Sequence, residues 1–388
     1  MPERQTAPPR PPRLVSWLRD GWLIVGITML FFLLLEFGYR AERAVFRQPA
    51  PSPRQVRADS SLHPYAGQAW FPEFERDLKR RRQRFDPYRG FWSRPAATTY
   101  INVDSLGRRI TVQSPFDSAT ARRVYLLGGS TMWGFTARDS FTISSLTATA
   151  LKARGVENVE VVNLAQGAYN SMQEAITLMV ELSNGRVPDV AVFLDGYNDI
   201  ATAANYGEPG HTYGDDGIQQ QISLGTRGFW GELVGLGRHS LLVKRLKDAA
   251  GLGAPDRVWA DPKRFCGPVA VYYHNIRTSV TALGDSYGFP ALAFLQPMHA
   301  MSNKTPTPWE AALYHAKSIR PCVAAIDSAM AKEAGKTYFS LSTLFDQDTA
   351  TVFVDVDAHV TEAANAAIAA AIADRVAPLL SDHRSRPR

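Results

Sequence analysis

Five short aliphatic runs, at 123–128, 159–164, 189–195, 290–296 and 336–341, punctuate the last two-thirds of the chain. Helical periodicity occupies 170–183, 267–284, 309–334 and 361–377 between and after them. A run that is apolar at nearly every position, rather than every second one, reads as a strand covered on both faces. Strand–helix alternation supplies the long crossovers that parallel pairing requires. The pattern therefore predicts an α/β fold, a parallel sheet with helices on both faces. A chain of 388 residues that is 45% hydrophobic can fill such a core. The domain is expected over 123–382, with 201–262, which breaks the rhythm, as an insertion over the site.

Ahead of the domain, Gly21 to Leu35 carries no charge, and Glu36 is the single charge before Tyr39. This 21–39 stretch approaches the ~20 residues that cross a bilayer. Trp22 and Tyr39 stand where an aromatic belt would place them, and Arg19 and Arg40 bracket the ends. No small-x-small cleavage site follows, so an uncleaved transmembrane helix is expected rather than a signal peptide. Residues 1–20 read as a disordered cytoplasmic tail, 40–86 as a tether, and 87–122 as a hairpin cover turning at Gly107. Flanking charge is balanced and does not orient the helix. A short tail inside and a large domain outside is the simpler arrangement, giving a single-pass protein of the cell inner membrane with a periplasmic or extracellular domain.

The net charge of +6 is concentrated locally, in Arg4, Arg10, Arg13 and Arg19 and again in Lys79-Arg80-Arg81-Arg82 and Arg84. Lipid headgroups are the expected neighbour; no nucleic-acid pattern of interleaved aromatic and basic residues occurs. Cys266 and Cys322 would pair in an oxidising compartment and stay as buried thiols in a reducing one. Histidines are scattered singly, so no metal or cofactor is expected.

The first strand runs into Gly128-Gly129-Ser130-Thr131, which lifts a hydroxyl to the carboxyl end of the sheet, where open α/β folds keep their ligands. A serine hydroxyl is a poor nucleophile until a base takes its proton, and His359, beside an acidic pair near a helix start, is the candidate base. An aspartate on the other ring nitrogen would fix the tautomer. The oxyanion that develops in acyl transfer needs aimed donors, and the Ser130 amide, the Gly167 amide and the Asn198 side chain supply three.

Four blocks in this order resemble the SGNH (GDSL-like) hydrolase superfamily, named for its four functional residues. Gly128-Gly129-Ser130-Thr131 matches the nucleophile block, Asn163 through Gly167 the glycine block, Gly196-Tyr197-Asn198-Asp199 the Gly-x-Asn-Asp block, and His359-Val360-Thr361 the histidine block. The likeness spans about residues 100–380, and the hairpin with Asn102 and Gly107-Arg108 is similar to membrane-anchored bacterial members. One position departs: the family's aspartate three residues before the histidine is Val356 here, with Asp355 four before and Asp357 two before. Asp355, Asp357 or a backbone carbonyl could orient the ring; the Phe353-Val354-Asp355 run fits the family's strand end and favours Asp355. The resemblance implies a three-layer α/β/α, flavodoxin-like parallel sheet and a serine ester hydrolase, of esterase or deacetylase type, acting through an acyl-serine on a small-molecule or glycan ester. An O-acyltransferase modifying an envelope polysaccharide and a non-catalytic glycan-binding or assembly protein are the alternatives.

Overall fold

The computed structural model describes residues 13–46, 60–214, 240, 242–243, 245–246, 261–313 and 319–382. Helix α1 (Arg13–Phe46) contains the predicted span but starts inside the stretch expected to be a disordered tail. Between Trp17 and Glu42 an 18-residue window reaches a mean hydropathy of 2.0 with none of it buried, so the helix is long and apolar enough to cross a membrane. Glu36 on this helix accepts hydrogen bonds from Ser240 Oγ (2.7 Å) and Leu242 N (3.0 Å) of the insertion. The helix and this part of the insertion form a unit apart from the α/β domain. Most of the 201–262 insertion, residues 1–12 and residues 47–59 lie outside the described residues.

Residues 60–86, expected within a tether, fold onto the domain instead. Helix α2 (Phe71–Arg80) buries Phe74 and Asp77, and the Asp77 carboxylate accepts the Tyr100 amide at 3.0 Å. The Tyr65 hydroxyl accepts the Glu362 amide at 2.8 Å. A two-stranded antiparallel hairpin follows, β1 (Gln83–Asp86) and β2 (Gly90–Ser93), well ahead of the turn anticipated at Gly107. Gly107 does occupy a turn, at φ +84°, closed by Gly107 N to Asp104 O at 3.0 Å.

All five aliphatic runs are strands: β3 (Arg122–Gly128), β4 (Val159–Asn163), β5 (Val190–Asp195), β6 (Ala291–Leu295) and β7 (Tyr338–Ser340). They pair in the order β4-β3-β5-β6-β7, every pair parallel. Counted from the first sheet strand this is the 2-1-3-4-5 arrangement of flavodoxin-like sheets, whose order reverses beside β3. A crevice therefore opens beyond the carboxyl ends of β3 and β5.

Alternate residues of these strands feed two cores. Val124, Leu126, Val192 and Leu194 pack with Ile143 and Leu151 and with Ile368, Ile372 and Val376. Tyr125, Leu127, Ala191 and Phe193 pack on the other face with Leu178, Leu182, Ile276 and Val280. The nucleophile turn carries α3 (Ser130–Trp133), and α4 (Ile143–Ala153) and α5 (Ser171–Ser183) cover opposite faces. After α6 (Tyr197–Tyr206) comes the long α7 (Pro262–Tyr287), which shares the face of α5. The helix expected over 309–334 is two, α8 (Pro308–Ala312) and α9 (Arg320–Ala329), each with proline in its first turn, where the missing N–H costs nothing. The final α10 (Glu362–Asp382) is half-buried against the sheet on the face of α4, a core helix despite its apolar length. Cys266 of α7 and Cys322 of α9 form a disulfide.

Candidate active site

The nucleophile turn is shaped by how closely β3 and β5 approach. A Cβ on Gly128 would lie 2.6 Å from both the Leu194 carbonyl oxygen and Met132 Cβ, so only glycine lets the strand end and α3 begin there. Ser130 is the first residue of α3, and its N–H has no acceptor within the helix. Its hydroxyl stands 2.7 Å from His359 Nε2.

His359 reaches it from a tight loop closed by an antiparallel bridge between Phe353 and Val360, with Val354 N donating to His359 O at 2.9 Å. Asp355 uses both oxygens in this loop. Oδ1 accepts the amide of Asp357 at 3.0 Å, and Oδ2 sits 2.5 Å from His359 Nδ1. The four-residue spacing that departs from the family pattern thus suits a turn in which the carboxylate bends back over its own loop. Asp357 makes no hydrogen bond to the ring and accepts the Tyr197 hydroxyl at 2.5 Å. Of the three ring partners left open by the sequence, Asp355 is the one in place.

Several further side chains hold this loop against the nucleophile, all but Thr131 without a sign of it in the sequence. Thr131 Oγ1 donates to Ala358 O at 3.0 Å and Thr136 Oγ1 to Val360 O at 2.7 Å. Arg138 forks onto the Glu362 carboxylate, and Phe135 stacks on the His359 ring with centroids 5.0 Å apart. Arg109, fully buried, donates to Asp139 at 2.6 Å and to the carbonyls of Tyr100, Gly134 and Ala137, pinning the segment after α3.

The glycine block follows β4. Asn163 donates to Met132 O and Ser144 Oγ, and accepts the Ala165 amide, which fixes the path toward Gly167. Gln166 is wholly buried, accepts from Ser93 N and Oγ, and donates to Gly107 O. Ala168 adopts φ +65°, a conformation that costs a non-glycine residue about 1–3 kcal/mol and that clusters at working sites.

Asn198 sits at the start of α6, beyond the end of β5, after Gly196 at φ +103°. Its side-chain amide donates to Tyr169 O at 2.7 Å, which leaves its second N–H available. Beneath it lies a buried acidic group. Asp195 is paired with Arg277 and accepts the Tyr273 hydroxyl at 2.6 Å, while Asp199 accepts Ser171 Oγ at 2.5 Å. Burial, with Asp195 adding repulsion, pushes the Asp199 carboxyl up to about 6. The same two causes raise Glu174 well above the usual carboxylate range.

Ser130, Gly167, Asn198, Asp355, Asp357 and His359 all line one cavity of about 460 Å³. Ligand atoms of Asp355, Asp357 and His359 lie within 4.8 Å of one another, close enough to be weighed as a metal cluster. Here His359 Nδ1 and Asp355 Oδ2 are bonded to each other and Asp357 to Tyr197, so holding a metal and orienting the imidazole are competing uses of the same atoms.

No family model and no curated protein matches the sequence. Solved structures similar to this chain include a member of the lipolytic protein G-D-S-L family from Veillonella parvula, 12% identical over 66% of this chain and 98% of that one, TM-score 0.38. Another is that of a putative arylesterase from Agrobacterium tumefaciens, 14% identical over 66% and 99%, TM-score 0.38. A third, the acetyl xylan esterase AlAXEase, is 12% identical over 66% and 97%, TM-score 0.35.

Proposed function

We propose that this chain is a serine ester hydrolase held to a membrane by α1, working through an acyl-serine intermediate. The observation that carries the reading is the unbroken line Ser130 Oγ, His359 Nε2, His359 Nδ1, Asp355 Oδ2, with steps of 2.7 and 2.5 Å, at the crevice where the strand order reverses. In this reading Ser130 Oγ attacks the ester carbonyl carbon while His359 Nε2 takes its proton. The tetrahedral oxyanion is received by the amides of Ser130 and Gly167 and the free N–H of Asn198. His359 then returns the proton to the departing alkoxide, and the ester C–O bond breaks to leave acyl-Ser130. Water, deprotonated by the same imidazole, then attacks the acyl carbon; the acyl–Oγ bond breaks, His359 returns the proton to Ser130 Oγ, and the acid leaves. Asp355 holds the imidazole in the tautomer that accepts from the serine.

The Cys266–Cys322 disulfide supports a domain on the oxidising side of the membrane, as in a periplasm. A fluorophosphonate probe added to the full chain in detergent should modify Ser130, located by mass spectrometry. Ser130→Ala should neither take the probe nor hydrolyse 4-nitrophenyl acetate. Probe on another residue, or full turnover in the variant, overturns the proposal.

A further inference from the structure

Arg81 belongs by sequence to a basic run, Lys79 through Arg84, whose other cations point outward: Lys79, Arg80, Arg82 and Arg84 are exposed. Arg81 alone turns in. It follows α2 directly and lines the same cavity as Ser130 and His359. Its Nη1 is buried and has no hydrogen-bond partner among the described residues. A Cβ on Gly167 would lie 3.2 Å from that nitrogen, so the guanidinium rests against the backbone whose amide is assigned to the oxyanion. Its carbon lies 4.9 Å from the Trp133 ring centroid and 5.7 Å from that of Phe135, which fix its plane. Asp355 and Asp357, the carboxylates of this cavity, are engaged by His359 and Tyr197.

A buried cation without a counter-charge costs free energy, and such sites are retained where a ligand supplies the missing anion. The guanidinium fork matches the two oxygens of a carboxylate or phosphate. We infer that Arg81 selects an ester substrate carrying an anionic carboxylate or phosphate group close to the scissile bond, with the exposed remainder of the run drawing that anion to the cavity mouth. This rests on the ester-hydrolase reading and adds the charge class of the substrate.

The test uses the full chain in detergent and matched acetyl esters: 3- and 4-acetoxybenzoate against the corresponding acetoxybenzamides, with 3-acetoxyphenyl phosphate to separate carboxylate from phosphate. The expected result is a kcat/KM about 10- to 100-fold higher for at least one anionic ester than for its neutral partner, the range of a charged hydrogen bond. Arg81→Gln should bring that ratio to near one, and Arg81→Lys should keep part of it. A merely structural role would lower both rates in Arg81→Gln and leave the ratio intact, which overturns the inference. So does a wild-type ratio of one or below, whatever the variants do. If none of the esters is turned over, the same comparison is read from protection of Ser130 against fluorophosphonate by benzoate, phenyl phosphate and benzamide. Labelling with equal protection refutes the anion alone; absence of both labelling and turnover refutes the hydrolase reading, and this inference with it.

Discussion

Asp355 and Asp357 are two residues apart and both face the cavity, yet only one touches the imidazole, and this difference sets a sharp expectation. Asp355→Asn keeps an oxygen for the Asp357 amide, so the loop retains its turn, but it places an amide beside His359 Nδ1. An amide N–H directed at Nδ1 leaves the ring proton on Nε2, where it cannot accept from Ser130. Loss of this function in serine triads costs about 1,000- to 10,000-fold in kcat, roughly 4–5 kcal/mol of transition-state stabilisation. Asp355→Ala removes the turn acceptor as well and should fall in the same range. Asp357→Ala removes only the bond from Tyr197 and should stay within about tenfold of wild type, as should Tyr197→Phe. The assay is kcat on 4-nitrophenyl acetate at pH 7, with urea unfolding of each variant to verify that the fold is kept. Equal losses for Asp355→Ala and Asp357→Ala, or an Asp355→Asn enzyme within tenfold of wild type, would refute the assignment.

Gly196→Ala should destabilise by about 2–6 kcal/mol and depress turnover, because the new Cβ would sit 2.3 Å from Leu295 Cδ1 on a backbone at φ +103°; urea midpoints and kcat read both effects. Asp199 binds its proton more tightly folded, at about 6, than at its ordinary 3.8. Its contribution therefore favours the fold most below pH 4 and is lost as pH rises through 6. The stability of Asp199→Asn relative to wild type should accordingly rise by about 2.5 kcal/mol between pH 4 and 7, followed by urea unfolding across that range. Cys266→Ser/Cys322→Ser opens a link between residues 56 apart and should lower unfolding free energy by about 2–4 kcal/mol, measured in urea without reductant.

The sheet was readable because its strands are continuous apolar runs, a local signal that crossovers and layers follow from. Ser130, Gly167, Asn198 and His359 were readable for a related reason: each stands just beyond a predicted strand or before the last helix. The choice between Asp355 and Asp357 was not, since a one-residue difference in spacing is decided by how a loop folds back on itself. Helix α2 was lost in its charge, although Phe71, Phe74 and Leu78 keep a helical stripe at i, i+3 and i+7. Arg81 and Arg109 escaped for the opposite reason. Nothing in a basic tract or a polar turn marks the one arginine that points inward, because burial of a charge is set by what packs around it.

Gln166 gives the N-terminal boundary of the α/β domain a definite location. This residue, next to Gly167, is satisfied by Ser93 and Gly107, chain that precedes the first strand of the parallel sheet. A fragment beginning at Ser60 keeps Arg81, Ser93 and Gly107 with the sheet, whereas trimming to Arg122 would strip the Gln166 amide of its partners and remove Arg81 with them. The segment ahead of the first sheet strand is thus part of the α/β domain, and any fragment meant to keep the cavity intact has to begin before it.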